Sequence, residues 1–178
     1  MLDHNYLVHL EILRKKIIWI LVFWLLMTAL SFVFINQLVE ILKNPIKNLP
    51  IQMIYTKPAE KFLIYFKLSF FSGLIIALPF ALFQIGSFIM PALFPREKRF
   101  FILSALAVFV LFISGCLLSY FFLSPYVFNF FVYFAEGDGV NAMWSIGEYF
   151  HLLILFCFLV GITFQIPVIL LSLIKLNI

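Results

Sequence analysis

Glu97 is the lone acid in FPREKRF, residues 94–100, where it stands among Arg96, Lys98 and Arg99, and every other residue from Leu68 to Ala135 is uncharged. A carboxylate there can do two kinds of work. With Pro95 as a first helical residue, Glu97 is the third, and its charge favours the positive end of the helix dipole. A carboxylate at a membrane interface also receives a guanidinium well, through two parallel hydrogen bonds in a partly dehydrated setting. The residue types alone leave both roles open.

Bond-making chemistry has little to draw on. The chain holds no HExxH, no GxSxG and no glycine-rich phosphate loop, and His4, His9 and His151 are not spaced as metal ligands. Cys116 and Cys157 lie inside apolar runs without neighbouring His or Asp, so they propose neither a zinc site nor a disulfide framework, and they read as small packing residues. An enzyme, a metal and a cofactor are not expected.

The elements that must position Glu97 are set by composition. Hydrophobic residues make up 65% of the 178-residue chain and charged ones 11%, against roughly 25% charged in an average soluble domain. Such a chain belongs in a lipid bilayer, and it is long enough for four helices of about 20 apolar residues each. The net charge of +4 sits in small clusters beside apolar runs, where bases act as topology signals, so nucleic acid is not expected as a partner.

Residues 1–16 carry Leu7, Leu10, Leu13 and then Ile17 at helical spacing, which predicts an interfacial helix running into a first span, about 17–35. Glu11 can pair with Arg14 or Lys15 on that helix. No small-residue cleavage site follows, so the segment reads as an anchor and not as a removable signal peptide. The helical pattern can continue to a stop at Pro45, and residues 45–61 read as a loop.

A second span is expected over about 62–90, kinked at Pro79, and a third over about 100–123. Ser124-Pro125 has the form of an N-cap and first-turn proline for a separate aromatic segment, and Glu136 to Gly139 reads as a turn. Ser145 and Glu148 have capping-box spacing, with Trp144 and Tyr149 at the staple positions, so a fourth span is expected over about 149–174. Gly161, Thr163, Gln165 and Pro167 make its second half polar and prone to bend.

With the N-terminus inside, seven bases lie on the cytoplasmic side and five outside. The six that flank spans one and three form the tightest clusters, which favours a cytoplasmic N-terminus and a cytoplasmic Glu97.

Several strings in one order carry a family resemblance: HLEILRKK at 9–16, KNPIKNLP at 43–50, KPAEKFLIYFKLSF at 57–70, LPFALFQIGSFIMPALFPREKRF at 78–100, SPYVFNFF at 124–131 and GITFQIPV at 161–168. Together they resemble TatC, the multi-spanning subunit of the twin-arginine protein translocase. The resemblance implies a receptor that binds the twin-arginine signal peptides of folded precursors at the cytoplasmic face for Sec-independent export. It puts Glu97 at the arginine acceptor, Phe88 on the aromatic beside it, and Arg14 on the basic residue of the N-terminal motif. It also implies single-span TatA/TatB-like partners, self-association in a receptor complex, and a bacterial-type cytoplasmic membrane.

Two positions depart from the family pattern. Glu11 stands one place early in a motif that usually reads His-Leu-x-Glu-Leu-Arg, and one place on a helix is about 100°. Gln165 replaces the family's intramembrane glutamate; it can still serve as a polar contact but cannot ionise. The family fold has six spans in a cupped arrangement, so residues 1–178 are expected to be one such membrane domain, C-terminally incomplete. A membrane scaffold or remnant that translocates nothing is the alternative to a working receptor.

Overall fold

The computed structural model of the protein describes residues 2–47, 49–92, 94–136 and 143–175, with side chains for 9–47, 49–91, 94, 98–134, 143–172 and 174. Helix α1 (Leu2–Val33) is continuous and is followed after Phe34 by the short α2 (Ile35–Leu42). Ile35 and Val39, one turn apart, are the buried face of α2. A 3-10 turn at Asn44–Ile46 ends this arm at Pro45.

Strand β1 (Gln52–Ile54) precedes α3 (Glu60–Ile89), which contains Pro79. A second 3-10 turn, Met90–Ala92, leads to α4 (Pro95–Leu118), so Pro95 is the first helical residue of α4 and Glu97 the third. Strand β2 (Met143–Ser145) then precedes α6 (Ile146–Thr163) and α7 (Ile166–Lys175). Among the described residues four helical stretches are long and apolar enough to cross a membrane: His9–Val33, Glu60–Ile89, Lys98–Phe134 and Ile146–Ser172.

The third of these differs from expectation. Ser124 does not cap a new helix: its backbone is helical (φ −61°, ψ −48°), and its N–H donates to the carbonyl of Ser119, five residues back. A π-helical segment, Ser119–Leu123, carries α4 directly into α5 (Ser124–Glu136). Pro125 lacks a backbone donor, and a local π register is one of the adjustments by which a spanning helix re-satisfies carbonyls freed by proline.

The fourth stretch is broken where its composition suggests, at Phe164–Gln165, with Pro167 in the first turn of α7, where its missing N–H costs nothing. Ser145 is the N-cap of α6 and accepts from Glu148 N–H at 3.4 Å. The expected turn at 136–139 lies outside the described residues beyond Glu136.

Close backbone approaches set the packing. A Cβ on Gly73 of α3 would stand 2.6 Å from the Thr28 backbone nitrogen of α1. Phe23 stacks on Phe80 at 4.3 Å along the same seam, and Trp24 Nε1 donates to the Phe70 carbonyl at 3.2 Å. Between α4 and α6, a Cβ on Gly115 would lie 3.0 Å from Gly161 Cα. Small residues that let helices touch are the usual route to tight packing where lipid offers no hydrophobic drive.

The buried core lies toward the end of the bundle where α3 and α6 begin, around Ile64, Leu68, Phe128, Tyr149, Phe150 and Leu153. Tyr149 Oη donates to the Leu42 carbonyl and Tyr120 Oη to the Ile41 carbonyl, both at 2.6 Å, fastening α2 to the later spans. The segment expected as a plain loop, 45–61, contributes β1, which pairs in parallel with β2 in the register Gln52↔Met143, Met53↔Trp144, Ile54↔Ser145.

Candidate functional site

Helix α1 starts against the end of α3. His9 meets Phe88 edge to face, with ring centroids 6.4 Å apart and planes at 79°. Seven residues on, two turns along the same stripe, Lys16 Nζ donates to Ser87 Oγ, which in turn donates to the Gln84 carbonyl at 2.9 Å. Phe88 is half-buried by this contact, and the α4 start that carries Glu97 follows within a few residues.

Glu97's helical position is described, but its side chain, like those of Pro95 and Arg96, lies outside the described residues. The first bond of its helix runs from Lys98 N–H to the Phe94 carbonyl at 3.1 Å. Glu11 and Arg14 are exposed and have no ion pair or hydrogen bond between side chains among the described residues. From His9 they are displaced by about 200° and 140° around α1, so the stripe that touches α3 is His9–Lys16 and not Glu11–Arg14. His9, Lys16 and Ser87 were not singled out as site residues by sequence; the i, i+7 spacing of His9 and Lys16 is the signal that could have found the first two.

Gln165 sits at the α6–α7 break. Its Nε2 donates to the Val108 carbonyl of α4 at 3.2 Å and to the Gly161 carbonyl at 3.3 Å, so it bridges two spans. Its Oε1 is buried and has no partner among the described residues. The amide thus has one end spent on helix packing and one acceptor to spare.

At the opposite end of the bundle stands an acid that the sequence reading passed over. Glu60, 8% exposed, accepts five hydrogen bonds. Thr56 N–H (2.5 Å), Thr56 Oγ1 (3.0 Å) and Lys57 N–H (3.1 Å) reach one oxygen, while Ser145 Oγ and Gly147 N–H (2.8 Å) reach the other. An ionised carboxylate is acceptor-only, and this one is saturated, which makes it a fastening and not a reagent. No group of three or more His, Cys, Asp or Glu that could hold a metal occurs among the described residues.

Comparison with known proteins fits this layout. The family model of the Sec-independent protein translocase protein TatC matches residues 8–178. The chain is 38% identical over 162 residues to the chloroplastic Sec-independent protein translocase protein TATC of Pisum sativum, covering 90% of this chain and 45% of that one. It is 33% identical over 161 residues to the tatC-like protein ycf43 of Porphyra purpurea, covering 90% of this chain and 62% of that one. The chain therefore spans about half to two thirds of the length of these relatives. A crystal structure of the twin-arginine translocase receptor TatC in DDM superposes with a TM-score of 0.81 at 34% identity, over 94% of this chain and 76% of that one. By family match, relatives and fold together, the chain belongs to the TatC family, membrane components of the Sec-independent protein translocase.

Proposed function

We propose that the chain acts as a receptor for twin-arginine signal peptides, working by binding and not by bond chemistry. The supporting observation is the docking of the N-terminal arm on the end of α3, His9 on Phe88 and Lys16 on Ser87, next to the helix start where Glu97 is the third residue. An arginine pair needs a carboxylate for its guanidinium and an apolar surface for its alkyl stem and planar face. Glu97 supplies the first and Phe88 the second. Arg14 and Glu11, displaced around α1, act on flanking residues of the peptide.

In this reading the α1 start and the α3–α4 turn face the cytoplasm, following the tightest base clusters, and the membrane is a bacterial-type cytoplasmic membrane. Single-span TatA/TatB-like subunits and further copies of the chain complete the translocase.

The test is photo-crosslinking of a twin-arginine peptide to the membrane-embedded protein. Glu97→Gln keeps the size but removes the charge, and is expected to lower crosslinking about tenfold, as loss of one charge-assisted pair implies. Undiminished crosslinking would remove Glu97 from the site.

A further inference from the structure

We propose that the end of the bundle opposite the signal-peptide site holds a zwitterionic phospholipid headgroup, with phosphate and primary ammonium both recognised. This goes beyond the receptor reading and does not depend on it. The site is an open pocket of about 710 Å³ between α2, the chain after it, and Tyr120 of the π-helical segment. That volume falls within the roughly 300–1,000 Å³ of small-ligand sites.

Its position is that of a membrane interface. α2 follows the first span directly and buries Ile35 and Val39, while Glu40 is exposed. Tyr120 belongs to the third membrane-crossing stretch and is fixed by its hydroxyl bond to the Ile41 carbonyl. One wall of the pocket is therefore a spanning helix and the other an interfacial arm. Apolar Ile41 and Met53 share the lining with charged Glu40, Lys43 and Lys47.

The charges define the ligand. Glu40 and Lys43 are three residues apart, a spacing that commonly pairs on a helix. Yet among the described residues neither Glu40, Lys43 nor Lys47 has an ion-pair partner. Two cations and one anion thus stand unpaired around one opening. A phosphate between the lysines and an ammonium on Glu40 satisfies all three, and the apolar lining receives the glycerol and upper acyl carbons. Ethanolamine meets the requirement because its N–H groups donate to a carboxylate. Choline has no N–H to give, and glycerol headgroups bring no cation.

The test uses the full chain in detergent, with lipid adducts counted by native mass spectrometry against phosphatidylethanolamine, phosphatidylcholine and phosphatidylglycerol of matched acyl chains. The expected result is a preference of about tenfold for phosphatidylethanolamine over phosphatidylcholine, from one charge-assisted bond. Glu40→Gln should abolish that preference while keeping phosphate-dependent binding, and the double variant Lys43→Gln/Lys47→Gln should lose all three lipids. Lys57→Gln/Lys61→Gln, outside the pocket, should behave as the unaltered chain. Equal binding of ethanolamine and choline lipids, a preference for phosphatidylglycerol, or an equal loss in the Lys57/Lys61 variant would each overturn the proposal. So would unchanged binding in the pocket variants, whose folded state is checked by an unshifted thermal transition.

Discussion

Gly147 and Glu60, 87 positions apart, occupy space that admits no side chain between them: the Gly147 N–H donates to Glu60 Oε1 at 2.8 Å, and a Cβ on Gly147 would lie 2.5 Å from that same oxygen. The carboxylate cannot retreat, because donors from Thr56, Lys57 and Ser145 hold it on its other sides. Gly147→Ala is therefore expected to cost about 1–3 kcal/mol, the range for overpacking a filled site. The readout is the thermal transition of the purified protein in detergent. Glu60→Gln should also lower it, since an amide in place of the carboxylate puts an N–H against donors. A Gly147→Ala transition equal to that of the unaltered chain would show that the two loops are not fastened here.

The α1–α3 seam makes a similar demand at Gly73, where an added Cβ meets the Thr28 hydroxyl and also, at 2.6 Å, the Thr28 backbone nitrogen, which cannot swing aside. Gly73→Ala should push the two helices apart and loosen the His9–Phe88 contact at the far end of the seam. Limited proteolysis of the N-terminal arm should then proceed faster than in the unaltered chain. Gly86→Ala offers a contrast: its Cβ would face the edge of the Phe101 ring at 3.0 Å, which can yield, and the effect should be smaller.

Lys16 and Ser87 form the second point that holds the arm. Lys16→Met keeps an unbranched stem but removes the donor, and is expected to reduce peptide crosslinking at Glu97 while lowering the unfolding free energy by no more than about 1 kcal/mol, as for one part-buried hydrogen bond. Lys16→Arg should restore much of the crosslinking. A Lys16→Met chain that crosslinks at full yield would mean that the arm needs no such tether.

Gln165→Leu removes two amide donations, to Val108 and Gly161. Interhelical polar contacts in membranes average about 0.6 kcal/mol and reach about 1.7, so a modest loss of stability is expected in a detergent unfolding titration. Gln165→Glu should be worse, because an ionised carboxylate would point an acceptor at two carbonyl oxygens. A glutamate variant as stable as the unaltered chain would show that the site relaxes to give the carboxylate a donor.

The spanning helices were legible because runs of apolar residues this long have one physical use, and the same holds for the Ser145 cap and the break before Pro167. Local pattern failed where the answer depended on distant chain. Ser124-Pro125 looks like a helix start, and only the π register of Ser119–Leu123 reveals continuity. β1 is three residues long and has no alternation to read; its existence depends on β2. The same holds for Glu60, which resembles any first-turn acid until Ser145 and Gly147 are brought to it. Glu97 stood out as a lone acid, but its role as arginine acceptor, like the choice of Phe88, came from resemblance, whereas the His9 and Lys16 contacts required the packing of α1 on α3.

The parallel pairing of β1 with β2 bears on biogenesis. The α1–α3 seam can close once the second span has been made, but the clasp of Met53 with Trp144 and of Glu60 with Ser145 must wait until the ribosome has delivered the third span and the residues up to 145. Chains fold as they emerge, N-terminal parts first. Until then the Glu60 carboxylate has only its neighbours Thr56 and Lys57 as protein donors, and the half-made bundle stays open at that end. Closure of the clasp thus marks the moment at which the first three spans have arrived in order and the fourth begins to emerge.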